Sequence, residues 1–370
     1  MNKNLPLESL RGIAALAVVL FHFRFTTPLV DNPLIRNAYV MVDFFFALSG
    51  FVIALNYQNR IEHFSDVVGF QLRRFWRLYP LHLATLLFFV LRDVRFSISE
   101  LTHGNPSPPM LHGEYIPKLL HNLMLTQALF VDHLSFNWPS WSISTEFYTY
   151  VLFALTLLAF KRRRVPVYLL IICGACLINW YWGHGLRSSS GLGIVRCIYS
   201  FYLGALTWHL SQHSPRTRKS LIPACLLLLS LIAVMTLTES PVEMFIPLIF
   251  CITIANVAAL HETSRLRQLL SHRVLVYLGT ISYSLYLTHA IVIVIFLALI
   301  SRLGNIPMIK DQAGYIIYNT SPINGTLIIL LGLGLTIGLS HLTYRLIEDR
   351  FRHGLRKKQP RQTTPPSDSV

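Results

Sequence analysis

Ten apolar runs constrain this 370-residue chain more than any other feature. A helix needs ~20 predominantly apolar residues to cross a bilayer. Runs approaching that length lie near 10–29, 38–57, 78–92, 145–160, 165–182, 192–210, 220–238, 242–260, 278–301 and 325–346, the third, fourth and fifth being short. Prolines mark starts, as at Pro80, Pro166 and Pro241, where a missing N–H costs little. Charged residues are only 13% of the chain, against the ~25% of soluble domains. The fold class is therefore all-α: a polytopic membrane protein of about ten transmembrane helices.

Charge gives the orientation. The net charge of +15 points to nucleic acid only if its placement is ignored. Basic residues gather in short links at Arg73, Arg74 and Arg77, at Lys161 to Arg164, at Arg216 to Lys219, at Arg265 to Arg273, and beyond Arg350. With the N-terminus inside, these links are all cytoplasmic, and Lys and Arg favour that side by roughly three to one. Both termini are then cytoplasmic, with no nucleic-acid partner expected. Residues 1–350 form the ten-helix membrane domain, and 351–370 read as a basic, disordered cytoplasmic tail. The first run lacks a convincing signal-peptide cleavage site. The external stretch 93–144 is too long for a plain linker, and its part from Leu119 to Val131 looks amphipathic, lying at the interface or re-entering the bundle. The five cysteines fall in apolar runs and read as packing residues rather than a disulfide framework. No zinc-spaced Cys/His set or nucleotide-binding glycine loop stands out, so neither a metal nor a bound cofactor is expected.

The first run carries Arg11 and His22. Eleven positions at about 100° and ~1.5 Å each put both on nearly one helix face, roughly 16 Å apart. An arginine at the centre of a membrane helix costs about 2.5–3.5 kcal/mol on insertion scales, so such residues usually face a protein-lined cavity. In the topology above, His22 lies in the outer half of the first span. Asp43, in the descending second span, and Glu146, at the outer start of the fourth, are expected at the same depth. An imidazole with carboxylates in reach suits general-base work on a hydroxyl. Each residue also has a plainer reading. Glu146 suits the positive end of its helix, Asp43 marks a membrane boundary, His22 is a satisfied bundle histidine, and Arg11 is a positive-inside anchor. Arg73, Arg74 and Arg77, set among Phe75, Trp76 and Tyr79, suit phosphates and a stacked purine, or equally anionic lipid headgroups.

Six blocks in order resemble the membrane-bound acyltransferase family 3. They are Leu7 to Leu16 with His22, Val42 to Phe51, Arg73 to Pro80, Pro139 to Phe147, Leu278 to His289, and Tyr344 to Glu348. The resemblance covers almost the whole membrane region. It implies transfer of an acyl group, most often acetyl, from cytoplasmic acyl-CoA to a hydroxyl of an extracytoplasmic or lipid-linked glycan. Acyl-CoA, a glycan or glycolipid acceptor and the lipid bilayer are then the partners, a homo-oligomer is left open, and the place is the bacterial inner membrane. Residue by residue, it matches Arg11 and His22 to the family's Arg–His motif and Glu146 to its acidic residue; with the depths above, His22 is base or acyl relay and Glu146 or Asp43 orients its ring. Arg11, Arg73, Arg74 and Arg77 take the donor, and Ser142, Tyr283 and His289 are accessory candidates, His289 being expected nearer the midplane. Thr288 departs from the tryptophan common there. No hydrolase-like domain follows the last span, so a separate transfer step would need a partner. The rival class is a transporter or flippase for an anionic or lipid-linked sugar, which fits ten spans with intramembrane charges but shows no inverted repeat.

Overall fold

The computed structural model describes residues 4–103, 110, 113–130, 134–161, 163–183, 185–212, 219–238, 240–303, 306–310 and 316–351. Fourteen α-helices dominate these residues. They are α1 (Leu5–His22), α2 (Pro33–Arg36), α3 (Met41–Tyr57), α4 (Phe64–Thr102), α5 (Tyr115–Leu123), α6 (Trp141–Ala159), α7 (Arg164–Trp182), α8 (Gly193–Ser211), α9 (Leu221–Thr236), α10 (Ile246–Ala258), α11 (Arg265–Leu270), α12 (Arg273–Thr280), α13 (Ser282–Leu303) and α14 (Pro322–Thr343). The strands β1 (Met308–Lys310) and β2 (Ile316–Tyr318) pair antiparallel. Among the described residues six helical stretches are long and apolar enough to cross a membrane, and two shorter apolar ones accompany them. The tail 352–370 and residues 213–218, to which sequence reading gave a basic tail and a cytoplasmic link, lie outside the described residues.

Two glycine crossings set how closely the helices approach. On α3 and α8, a Cβ added at Gly50 would stand 1.9 Å from the Phe201 carbonyl oxygen, and one at Gly204 would stand 1.9 Å from that of Ala47. On α1 and α12, a Cβ at Gly279 would stand 1.9 Å from the Glu8 carbonyl oxygen. Small residues let membrane helices meet backbone to backbone, where packing rather than water expulsion drives association. Gly204→Ala should therefore lower the thermal unfolding midpoint of the detergent-solubilised protein, since overpacking costs about 1–3 kcal/mol. Gly334→Ala, where nothing lies within 4 Å, should leave the midpoint in place. Equal midpoints for the two variants would contradict the crossing.

Two sequence expectations need correction or sharpening. Pro80 does not open a helix: α4 runs through it for 39 residues. Its ring removes only the N–H that would reach back one turn, a loss tolerated where neighbours pack the helix. The amphipathic segment contains α5, which packs against α4 and α6. α5 begins beside Asp93, since that carboxylate acts on the Tyr115 hydroxyl, and it ends against Tyr79 and His82. There four successive carbonyls meet side chains: Asn122 pairs with His82 Nε2 (2.9 Å), Leu123 with the Tyr79 hydroxyl (3.1 Å), Met124 with that of Tyr148 (3.1 Å), and Leu125 with that of Ser144 (2.5 Å). The last carbonyls of a helix have no partner within it, and here side-chain donors take them. Leu125 turns the chain with φ of +57°, and Gln127 and Ala128 are buried against the start of α6. The apolar stripe Ile116, Leu120 and Leu123 faces outward.

Candidate active site

α1 and α13 carry the site between them. Arg11 is locked at one end of α1. Its Nε donates to Ser282 Oγ (2.8 Å), and its Nη2 donates to Glu8 Oε2 (2.8 Å) and to the Gly279 carbonyl (2.7 Å). At the far end of α1, the His22 ring lies 4.8 Å from the ring of His289, centroid to centroid, and 6.4 Å from that of Trp138. Ser282, Tyr286 and His289 are spaced four and three residues apart, so one face of α13 runs from Arg11 to His22. Tyr286 fills the middle. Its hydroxyl accepts from Ser142 Oγ (2.9 Å) and donates to the Pro139 carbonyl (2.9 Å).

The tautomer of His22 follows from its partner. Nδ1 lies 2.8 Å from the Val18 carbonyl oxygen, one turn back on α1. A carbonyl only accepts, so in the neutral ring Nδ1 carries the proton and Nε2 the lone pair. His22 is half-buried and lines a cavity of about 220 Å³ with Arg24, Phe25 and Tyr318. His289 is fully buried, and among the described residues no side chain hydrogen-bonds its ring nitrogens. Sequence reading placed it nearer the midplane; the structure sets it against His22.

The two carboxylates do not join them. Asp43 is fully buried and takes Nε and Nη2 of Arg196, the shortest contact being 2.6 Å, together with Ser200 Oγ at 2.9 Å. Arg196 in turn donates to the Ser188 and Tyr39 carbonyls and lies over the Trp141 ring at 5.3 Å. Asp43 is thus a clamp between α3 and α8 beneath the start of α6, its oxygens already taken. Glu146 accepts from the Tyr150 hydroxyl at 2.5 Å, which also meets Ser49 Oγ at 2.9 Å. Among the described residues neither Asp43 nor Glu146 hydrogen-bonds His22; the Val18 carbonyl orients the ring instead.

The arginines gather toward the Arg11 end. Arg77 sits in the field of three carboxylates, Glu8, Glu146 and Glu348, with Tyr150. The Tyr283 hydroxyl donates to the Leu78 carbonyl and ties α13 to α4 at this level. Glu348, in a π-turn at Tyr344–Glu348 that continues α14, is buried and accepts from Ser284 at 3.0 Å. Arg74 is caged by the rings of Tyr57 (5.4 Å), Phe70 (5.6 Å) and Tyr150 (5.8 Å), while Arg73 meets only the Tyr57 ring among these, at 5.6 Å. Cation–π packing of this kind holds a guanidinium in place, so Arg74 reads as the positioning member of the group.

An arginine cluster at one end, a hydroxyl-lined interior and a neutral imidazole at the other end form a column through the bundle. Sequence reading missed Arg196 as the partner of Asp43, although opposite charges in two apolar runs are a signal for pairing. It also missed Glu348, Tyr150 and the four donors that cap α5.

Comparison with known proteins finds acyltransferases and O-acetyltransferases. The acyltransferase MdmB of Streptomyces mycarofaciens is 34% identical over 179 residues, 46% of this chain and 42% of the relative. The putative peptidoglycan O-acetyltransferase YrhL of Bacillus subtilis is 28% identical over 327 residues, 78% of this chain and 48% of the relative. The peptidoglycan O-acetyltransferase OatA of Listeria monocytogenes is 25% identical over 319 residues, 76% and 48% respectively. The chain spans about half the length of these relatives. No solved structure matches it. A family described as an acyltransferase domain matches residues 4–345, and the chain belongs to that family, the membrane-bound acyltransferase family 3.

Proposed function

We propose that this chain is a multi-pass O-acyltransferase of the bacterial inner membrane, moving an acetyl group from cytoplasmic acetyl-CoA to a hydroxyl of an extracytoplasmic or lipid-linked glycan. The observation that carries the reading is the His22 ring with its lone pair on Nε2, one helix length from the Arg11 and Arg73–Arg77 cluster. The ten spans and the cytoplasmic placing of both termini, read from the basic links, belong to this proposal and put the arginines on the donor side.

The CoA phosphates dock at Arg73 and Arg77, and the pantetheine arm runs along the α1–α13 face past Ser282 and Tyr286. Its extended length is of the class needed for the roughly 16 Å from Arg11 to His22. His22 Nε2 takes the proton of the acceptor hydroxyl as that oxygen bonds to the thioester carbonyl carbon. The tetrahedral intermediate collapses, the C–S bond breaks, and the sulfur leaves with the proton from the imidazolium. Val18 holds the ring through Nδ1, and His289 packs against it and keeps water from that side.

The test is turnover of labelled acetyl-CoA by the full chain in nanodiscs, with and without glycan acceptors, following free CoA. Hydrogen bonds to charged groups contribute about 1.5–3 kcal/mol. Arg73→Ala should therefore raise the KM for acetyl-CoA about 10- to 100-fold with little change in kcat, the signature of lost ground-state binding. Neither binding nor turnover of acetyl-CoA by the wild-type protein would overturn the reading and favour transport.

A further inference from the structure

Resting on that reading, we propose that the cavity of about 220 Å³ beside His22 is the acceptor subsite and takes a single sugar ring under the β1–β2 hairpin. The hairpin is fastened to the chain just after His22. Thr26 N–H donates to the Tyr318 carbonyl (3.1 Å), Tyr318 N–H donates to the Arg24 carbonyl (2.9 Å), and Asn319 N–H donates to the Pro307 carbonyl (2.8 Å). The first two bonds make β2 a neighbour of the 24–26 segment, with Phe25 bridged to Tyr318, so the wall of the cavity is held against the end of the helix that carries His22.

The lining selects the ligand. Tyr318 and Phe25 stack at 5.2 Å with their planes 27° apart, an aromatic wall of the kind that C–H faces of pyranose rings pack against. Ile293, Leu297, Met308 and Ile316 supply further apolar surface. Arg24 lines it as well. Pockets for drug-sized ligands are about 300–1,000 Å³, so this one suits one ring with the rest of the glycan outside. A hydroxyl of that ring then meets the His22 imidazole, which shares the cavity.

The experiment uses the full chain in nanodiscs with labelled acetyl-CoA and the p-nitrophenyl glycosides of glucose, N-acetylglucosamine and glucuronic acid. Acetylated glycoside and free CoA are measured separately, and acetyl-CoA affinity is measured as a control for folding. We expect transfer to at least one glycoside. Ile316→Trp, a filling change at an exposed position (53% accessible), should raise that glycoside's KM at least tenfold. Tyr318→Leu, which keeps the strand's backbone bonds, should raise it in the same direction, and both variants should bind acetyl-CoA as the wild type does. Unchanged glycoside KM in both variants overturns the subsite. CoA release with no glycoside acetylated overturns the sugar-ring assignment while leaving the acyltransferase reading intact. Absence of both acetyl-CoA binding and CoA release overturns that reading, and the subsite with it.

Discussion

His22→Ala should lower acetyl transfer by about a hundred- to ten-thousandfold, the span that a positioned general base typically supplies. The loss should fall on kcat and kcat/KM alike, because proton transfer is felt only in the transition state. Acetyl-CoA affinity should stay close to that of wild type, since the arginines that take its phosphates lie at the other end of α1. The fold should survive. His22 is half-buried at the last residue of α1, and its one hydrogen bond is to its own helix. The measurement is single-turnover release of CoA in nanodiscs with acceptor present. Near-normal rates in the folded variant would remove His22 from the chemistry. The same experiment separates direct transfer from a covalent relay: without acceptor, the wild type releases a burst of CoA stoichiometric with enzyme if the protein is acylated, and loss of that burst in His22→Ala assigns the acyl group to His22.

Much of the architecture was legible because membrane burial forces it. A run such as Val42 to Ala54 has few alternatives to a helix, and α3 occupies nearly the expected span. The Arg11–His22 stripe was legible for the same reason, since eleven residues of helix fix both phase and rise. What was not legible depended on partners distant in sequence. Depth reasoning set Asp43 beside His22, but a carboxylate in an apolar run is held by whichever cation reaches it, here Arg196 on α8. His289 was misjudged because counting residues along α13 from an uncertain start gives depth only to within a turn or two. The capping of α5 turns on His82, Tyr79, Tyr148 and Ser144, whose shared task no local pattern announces. Pro80 read as a start because local rules place proline there, whereas tertiary packing carried α4 through it.

Asp43→Ala tests whether that carboxylate belongs to the chemistry or to the frame. It should cost about 3–5 kcal/mol, the range for breaking a buried ion pair by removing one partner, because Arg196 is only 2% exposed and would be left charged among α3, α6 and α8. Asp43→Asn should lose much of the same stability, since a neutral amide does not balance the guanidinium. The decisive variant is the double replacement Asp43→Leu with Arg196→Met. Exchanging a buried pair for apolar groups of similar bulk is often neutral or stabilising, so the double variant should recover most of the unfolding midpoint lost by either single change. Acetyl transfer should return with it, in proportion to how well Trp141, now without the guanidinium on its ring, keeps the start of α6 in place. A catalytic carboxylate behaves in the opposite way: Asp43→Asn would keep the fold and lose the rate, and no change at position 196 would restore it. Thermal unfolding in detergent, paired with single-turnover rates for the same four proteins, therefore decides between clamp and catalyst, and a stable but inactive double variant would return Asp43 to the reaction.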